Sequence, residues 1–277
     1  MSGARRRKPK TNDKVLRPVH PNAGIRAAYR RQLEKLIEEM NASVQFWLKQ
    51  TYKANDPVIA QDELPANVLQ RAIRKLGKRW QKNFDDAAPK LADYFAKSVD
   101  KRSAAALKKI LRDGGFSVKF DVTRTQNDVF TALVHENVSL IKSIPQKYLT
   151  DVEGSVMRSV QAGRDLGTLA KELERHYGVT KRRAAFIARD QSNKATAQLT
   201  RARQVDLGLT EAIWVHSGGG KTQRPTHVAA SKRKQRYDVR RGMWDPDAHG
   251  KGKGAFVLPG ELPNCRCVSK TIVPGFE

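Results

Sequence analysis

The sequence predicts a mainly α fold: an elongated multi-helix N-terminal and middle region leading into a small α+β C-terminal module. Three observations carry this. Apolar residues recur at three- and four-residue spacings through most of the chain up to Leu207, the pattern of amphipathic helices. Beyond Gly208 that pattern stops, and Gly, Pro and short β-type runs such as Ala212-Ile213-Trp214-Val215 take over. Both of the chain's cysteines, Cys265 and Cys267, fall in this last stretch, one arginine apart.

Taken in order, residues 1–24 are basic, with Pro9, Pro18 and Pro21 and little apolar content. They predict a disordered or extended arm, either a tether or a solvated tail. Residues 25–115 predict a helical domain. Its first helix carries Leu33, Leu36, Ile37, Met40, Val44 and Leu48 and ends at Asn55-Asp56-Pro57. Phe46 and Trp47 are expected in a helix–helix contact. A second block starts near Pro65, a favourable first-turn position, and runs through Leu69, Ile73, Trp80 and Phe84 toward Pro89. A third carries Leu91, Tyr94, Phe95 and Val99. A fourth runs from Ser103 to Leu111 and stops at Gly114-Gly115. Phe116 to Val122 alternates apolar and polar residues, a short strand or an extended connector, and the domain boundary is placed at 114–121.

Residues 122–208 predict a second helical region. Leu133, Val138, Ile141 and Ile144 mark one helix, which Pro145 interrupts. Val152, Val156 and Val160 mark the next, closed by Gly163. A short helix from Leu166 to His176 ends at Gly178. Thr180 is then a plausible N-cap for a long helix from Lys181 to Leu207, stopped by Gly208. No solenoid-length repeat is present. Residues 209–277 form the end module, with strands at 211–215 and 268–273 and mostly loop between them.

Composition narrows the partners. The 277 residues hold 53 Lys+Arg against 28 Asp+Glu, a net charge of +25. Such an excess favours a polyanion, because counterion release draws phosphate without sequence specificity. A basic surface for binding an acidic scaffold is the plainer alternative. The candidate nucleic-acid contacts are Lys181, Arg182 and Arg183 on the predicted long helix, and the cluster Lys232, Arg233, Lys234, Arg236, Arg240 and Arg241. Tyr237 and Trp244 lie beside the cluster, where aromatics can stack on unpaired bases. The expectation is phosphate contact for the arginines and a small core under Trp244. No N-terminal apolar stretch reads as a secretory signal, and no run reads as a membrane span. Two cysteines make no disulfide framework, which points to a reducing cytoplasm during assembly.

The end module also holds the residues with chemical potential. Gly218-Gly219-Gly220-Lys221-Thr222 ends like a phosphate loop, but Val215 stands where that motif needs glycine and Pro225 follows closely, so a turn is expected. Gly250-Lys251-Gly252-Lys253-Gly254 lacks the strand–helix frame of a dinucleotide site. His227, His249, Cys265 and Cys267 are zinc-ligand types, with spacings that match no finger. The expectation is no cofactor, zinc being the one metal these residues would suit. Cys265 or Cys267 with His227 would also serve an enzyme or effector acting on nucleic acid or nucleotides, with Asp247 and Glu261 the nearby carboxylates. The preferred reading assigns no catalytic residue: the cysteines pack inward and His227 bonds a backbone group or a carboxylate.

Four features in order resemble the C-terminal module of phage Mu F-type head morphogenesis proteins, the minor head proteins that accompany the portal. A helix ends in Ile187-Ala188-Arg189-Asp190-Gln191. Gly208 and Trp214 follow, then Arg224-Pro225-Thr226-His227, then Pro259-Gly260-Glu261 and Asn264-Cys265-Arg266-Cys267. Gly220 and Thr222 replace an Asp and an Arg usual in the pattern, and Ala229 to Lys232 replace a small acidic turn. The resemblance implies a structural role for Arg189, Trp214, Arg224, His227, Pro259, Gly260, Asn264, Cys265, Arg266 and Cys267. It further implies a portal protein and procapsid or scaffold components as partners, double-stranded DNA nearby, no membrane, and a place in the phage head interior near the portal.

Overall fold

The computed structural model describes residues 13–54, 65–162, 166–219 and 223–275. Residues 1–12 of the expected arm 1–24, the breaks at Asn55-Asp56-Pro57 and Gly163, and the Gly220-Lys221-Thr222 turn lie outside the described residues. From residue 13 the arm is docked, with Lys14–Val15 paired to Ile272–Val273 and Leu16 and Val19 buried. Four long helices dominate: α1 (Ala23–Ala54), α2 (Pro65–Asp113), α3 (Arg124–Gln161) and α4 (Leu166–Asp206). The chain divides into two compact units, and the division cuts through helices rather than at the 114–121 link. One unit holds residues 24–95 and 134–188; the other holds residues up to 23, 96–133 and 189 onward. Among the described residues, no helix is long and apolar enough to cross a membrane.

The first unit is built from helical stripes. On α1, Leu33, Ile37, Met40, Val44 and Leu48 are all essentially fully buried, one residue per turn. On α2, Leu69, Ile73, Leu76, Trp80, Phe84, Ala88, Ala92 and Phe95 continue the same spacing. Tyr29 stacks on Phe95 with centroids 4.3 Å apart. Its hydroxyl donates to Asn137 Oδ1 at 3.0 Å, and Tyr148 donates to Asn41 Oδ1 at 2.8 Å. These bonds satisfy four buried polar side chains that would otherwise be costly in an apolar interior, and burial pushes both phenols above their usual pKa.

Three expected helix breaks are absent, each for a local reason. Pro89 lies inside α2 on its exposed face, where water can take the carbonyl its missing N–H leaves free. Pro145 lies inside α3. Its missing N–H leaves the Ile141 carbonyl without its helical donor, while the carbonyls on either side accept from Ser143 Oγ (Leu140 O, 2.7 Å) and Gln81 Nε2 (Lys142 O, 3.4 Å). At Gly178 and Thr180 the helix continues, so there is one α4 rather than two helices. Thr180 does not cap; its hydroxyl donates back to His176 O at 2.8 Å within the helix. Phe46 and Trp47 are also not in a helix–helix contact. They are 55% and 47% exposed and pack edge-to-face on each other.

His176 gives this unit a pH dependence. The ring is buried and meets Ser155 Oγ at 2.9 Å, with Glu172, Asp151, Arg175 and Arg158 around it. Burial first, then Arg175, lowers its pKa, and the two carboxylates only partly offset this. A depressed pKa means the unfolded chain binds the proton more readily. The associated stability is present above the unfolded histidine value of about 6.5 and is lost as pH falls through the folded value. Thermal melts between pH 7 and about 5 should show falling stability, and His176→Gln should flatten that fall.

In the second unit a four-stranded antiparallel sheet has the order β1-β6-β2-β3, with β1 (Lys14–Val15), β2 (Glu211–Val215), β3 (Arg236–Asp238) and β6 (Val268–Val273). β4 (Met243–Asp245) and β5 (Ala255–Val257) form a separate pair. The predicted strands are β2 and β6, which pair from Glu211↔Ile272 to Val215↔Val268. Two of the predicted glycine stops hold, at Gly114-Gly115 and Gly208. Gly115 and Gly208 have φ of +89° and +71°, letting Phe116 N–H reach Leu111 O at 2.9 Å and Leu209 N–H reach Gln204 O at 2.8 Å. Residues 116–122 are the extended connector. Between β2 and β6 the chain is more ordered than the expected loop. Helix α5 (Pro225–Lys232) starts with Pro at its first position after an extended Arg224.

Candidate functional site: a buried histidine–cysteine clasp

Strand alternation builds the site's floor. β2 turns Ala212 and Trp214 inward and leaves Glu211, Ile213 and Val215 half-buried. Trp214 is fully buried and sits at the centre of a small core with Tyr237, Val239, Met243, Val257, Leu262, Cys265 and Cys267. Its ring meets His227 edge-on at 4.8 Å and Tyr237 at 5.9 Å. The tyrosine hydroxyl bonds Ser269 Oγ on β6.

α5 delivers His227 from its first turn into this core, 1% exposed. Its Nε2 lies 3.0 Å from Asp245 Oδ2 at the end of β4, and Asp245 is wholly buried. A carboxylate only accepts, so the ring proton sits on Nε2 and the Nδ1 lone pair faces the other way. There it meets both thiols, Cys265 Sγ at 3.7 Å and Cys267 Sγ at 3.6 Å. The cysteines are free, not bridged. The hydrogen bond from Cys267, with a smaller contribution from His227, holds the Cys265 thiol below its ordinary pKa against the effect of burial. The same bond and burial push Cys267 up.

The loop carrying the cysteines is tied to α4. Asn264 N–H donates to Asp190 Oδ1, Arg189 Nε donates to Asn264 Oδ1 at 3.1 Å, and Asn193 Nδ2 donates to Cys265 O at 3.2 Å. Asn264 has φ of +59°, a left-handed geometry that Asn tolerates better than most residues. Gly260, at φ +81°, is needed for closeness: a Cβ there would lie 3.0 Å from Ala197 Cβ and 3.3 Å from Asn193 O on α4. Pro259 is buried beside it. Arg224 donates to Pro263 O at 3.1 Å, joining the start of α5 to the same loop. Arg266 is half-buried, with its guanidinium near Gly219.

Of the four zinc-type residues, His227, Cys265 and Cys267 come together, their ligand atoms within 4.8 Å of one another. His249 stands apart on the exposed turn 247–253. The carboxylates near the thiols in sequence are not the ones that matter. Asp247 accepts from Gly252 N–H at 2.9 Å and Glu261 from Leu258 N–H at 2.7 Å, so both close turns. Asp245 and Asn193 were not singled out from the sequence, and Asp190 was quoted only as part of the motif Ile187–Gln191. Asp245 carried one usable signal, its place two residues from Met243 on the same strand face.

The basic candidates divide sharply. Arg236 bonds Asp13 and Glu211, and Arg240 grips Asp238 through both nitrogens. In the other unit Lys181 pairs with Glu38 at 3.0 Å, Arg183 donates to Ser143 at 2.8 Å, and Arg182 is exposed. Lys232, Arg233 and Lys234 are exposed at the end of α5. Trp244 covers no core; it is 53% exposed, packing on Gly254 and edge-on to Phe256, whose other contact is the Arg241 guanidinium at 3.9 Å. A two-stranded pair of three-residue strands leaves its outward side chains in water, which is why Trp244 differs from Trp214.

Residues 150–270 match the family model described as Phage Mu protein F like protein. An uncharacterized protein of Haemophilus influenzae is 27% identical over 276 residues, covering 97% of this chain and 58% of that protein. The chain thus spans a little over half the length of that relative. No solved structure matches it. The matched region runs through α4 and the whole clasp, and over those residues the chain is similar to the Phage Mu protein F like family.

Proposed function

We propose that this chain is a minor head protein of a tailed phage or prophage, acting in head morphogenesis beside the portal and lying close to packaged DNA. The observation that carries the reading is the family match over residues 150–270, which contains every residue of the clasp. A buried clasp suits an assembly protein, because it fixes a loop-rich module without needing a substrate path. The same burial weighs against an enzyme centred on His227 and the thiols, since a nucleophile must reach its substrate.

The DNA part of the proposal rests on the +25 charge and on Arg182, Lys232, Arg233, Lys234 and Arg241. Arg236 and Arg240 would first have to give up carboxylate partners. Binding of this kind is predominantly Coulombic, so it should weaken steeply with salt and discriminate little between sequences. The test is co-sedimentation of the full chain with procapsids, assembled with and without portal protein. Portal-dependent incorporation is expected. Absence from procapsids in both preparations would contradict the reading.

A further inference from the structure

We propose that His227, Cys265 and Cys267 bind one zinc ion, which locks the C-terminal module shut. The histidine-to-sulfur distances fit a shared ion, and all three ligand atoms lie within 4.8 Å of one another. Zinc–sulfur bonds of about 2.3 Å and zinc–nitrogen bonds of about 2.0–2.1 Å, at tetrahedral angles, place sulfur and nitrogen about 3.6 Å apart. The two Sγ···Nδ1 distances are 3.7 and 3.6 Å. A single S–H···N hydrogen bond would need only one sulfur at that nitrogen; here both converge on one lone pair.

The surroundings are those of a metal-bound imidazole. Asp245 holds Nε2 at 3.0 Å and so turns Nδ1 toward the sulfurs, the carboxylate–histidine arrangement that orients zinc ligands. The indole N–H of Trp214 is buried without a hydrogen-bond partner, and Trp214 is a side chain that favours the ionised form of Cys267. Soft thiolates with imidazole select zinc over magnesium or calcium. On binding, both S–H protons leave to solvent and two S–Zn bonds and one N–Zn bond form. Among the described residues no further His, Cys, Asp or Glu joins the group, so water takes the fourth position. The ion would join α5 to the loop before β6.

The test uses the full chain purified without chelator. Elemental analysis is expected to give about one zinc per chain. Both thiols should resist an aromatic disulfide reagent until a chelator is added. Exchange with Co²⁺ should produce sulfur-to-metal charge-transfer absorption, displaced by zinc. Because ligand variants can fail to fold, Asp245→Asn supplies a second measurement: all three ligands remain, and zinc affinity should fall about 10–100-fold. A folded, zinc-free protein whose Co²⁺ mixture shows no such absorption overturns the proposal. So does a folded Cys265→Ser/Cys267→Ser double variant that keeps its zinc, or a Cys265–Cys267 disulfide in the freshly purified chain.

Discussion

His227→Ala should lower the unfolding free energy by about 3 kcal/mol, the cost of leaving a buried charged acceptor without its hydrogen-bond partner. The reason lies less in the lost imidazole than in what it leaves. Asp245 is wholly buried, and its Oδ2 has His227 as its partner while Oδ1 takes the N–H of Asp247. Without the ring, a carboxylate is stranded in an apolar core beside Trp214 and two thiols. Denaturant unfolding reads the loss directly. The double variant His227→Ala/Asp245→Ala should lose less than the sum of the two single changes, since it removes the stranded charge as well. His249→Ala, on the exposed turn, should stay within about 0.5 kcal/mol of the parent. Equal effects at His227 and His249 would remove the clasp from the account.

Trp214→Ala should cost about 3–5 kcal/mol, as large-to-small changes at buried aromatics do when the surroundings cannot collapse. Collapse is restricted here because the neighbours are fixed by other bonds: His227 by Asp245, Tyr237 by Ser269, and the backbone of β2 by strands on both sides. Trp244→Ala is the matched comparison. It removes the same side chain from the same module, but one that is half-exposed, and should cost about 1 kcal/mol or less. Thermal or denaturant melts of the two variants separate a packing role from a generic aromatic one.

The same pair of tryptophans shows what the sequence could and could not carry. Helix periodicity located the stripes of α1 to α4 well, because a buried stripe of a long helix repeats many times. It mislaid their breaks. Pro89, Pro145, Gly178 and Thr180 all have the chemistry of helix ends, and each is overruled by its setting: an exposed face, a serine and glutamine serving the neighbouring carbonyls, or a threonine bonding back into the helix. In the end module, β2 and β6 were legible by alternation. Three-residue strands such as β3 to β5 are too short to alternate visibly, and α5 is eight residues of mostly small or polar type.

The site was legible as residue types and not as an arrangement. Cys265, Cys267 and His227 stood out, and so did the inward packing of the thiols and a carboxylate partner for the histidine. Which carboxylate depended on β4 pairing with β5, a long-range event that puts Asp245 under the ring and leaves Asp247 and Glu261 to their turns. The link to α4 through Asp190 and Asn193 depended likewise on where the loop docks. The resemblance named Arg189 and Asn264 among the motif residues without pairing them; the structure joins them by a 3.1 Å bond.

The central claim is that the loop 258–267, which has no regular secondary structure, is held as firmly as a core element. Hydrogen exchange at the Asn264 and Cys265 amides tests it most directly. Asn264 N–H is bonded to Asp190 Oδ1 and Cys265 N–H to Leu262 O at 2.9 Å, both beneath the clasp. The account predicts exchange as slow as in β6, limited by opening of the whole module. Exchange at the rate of an open turn, comparable to the exposed residues 250–253, would contradict it.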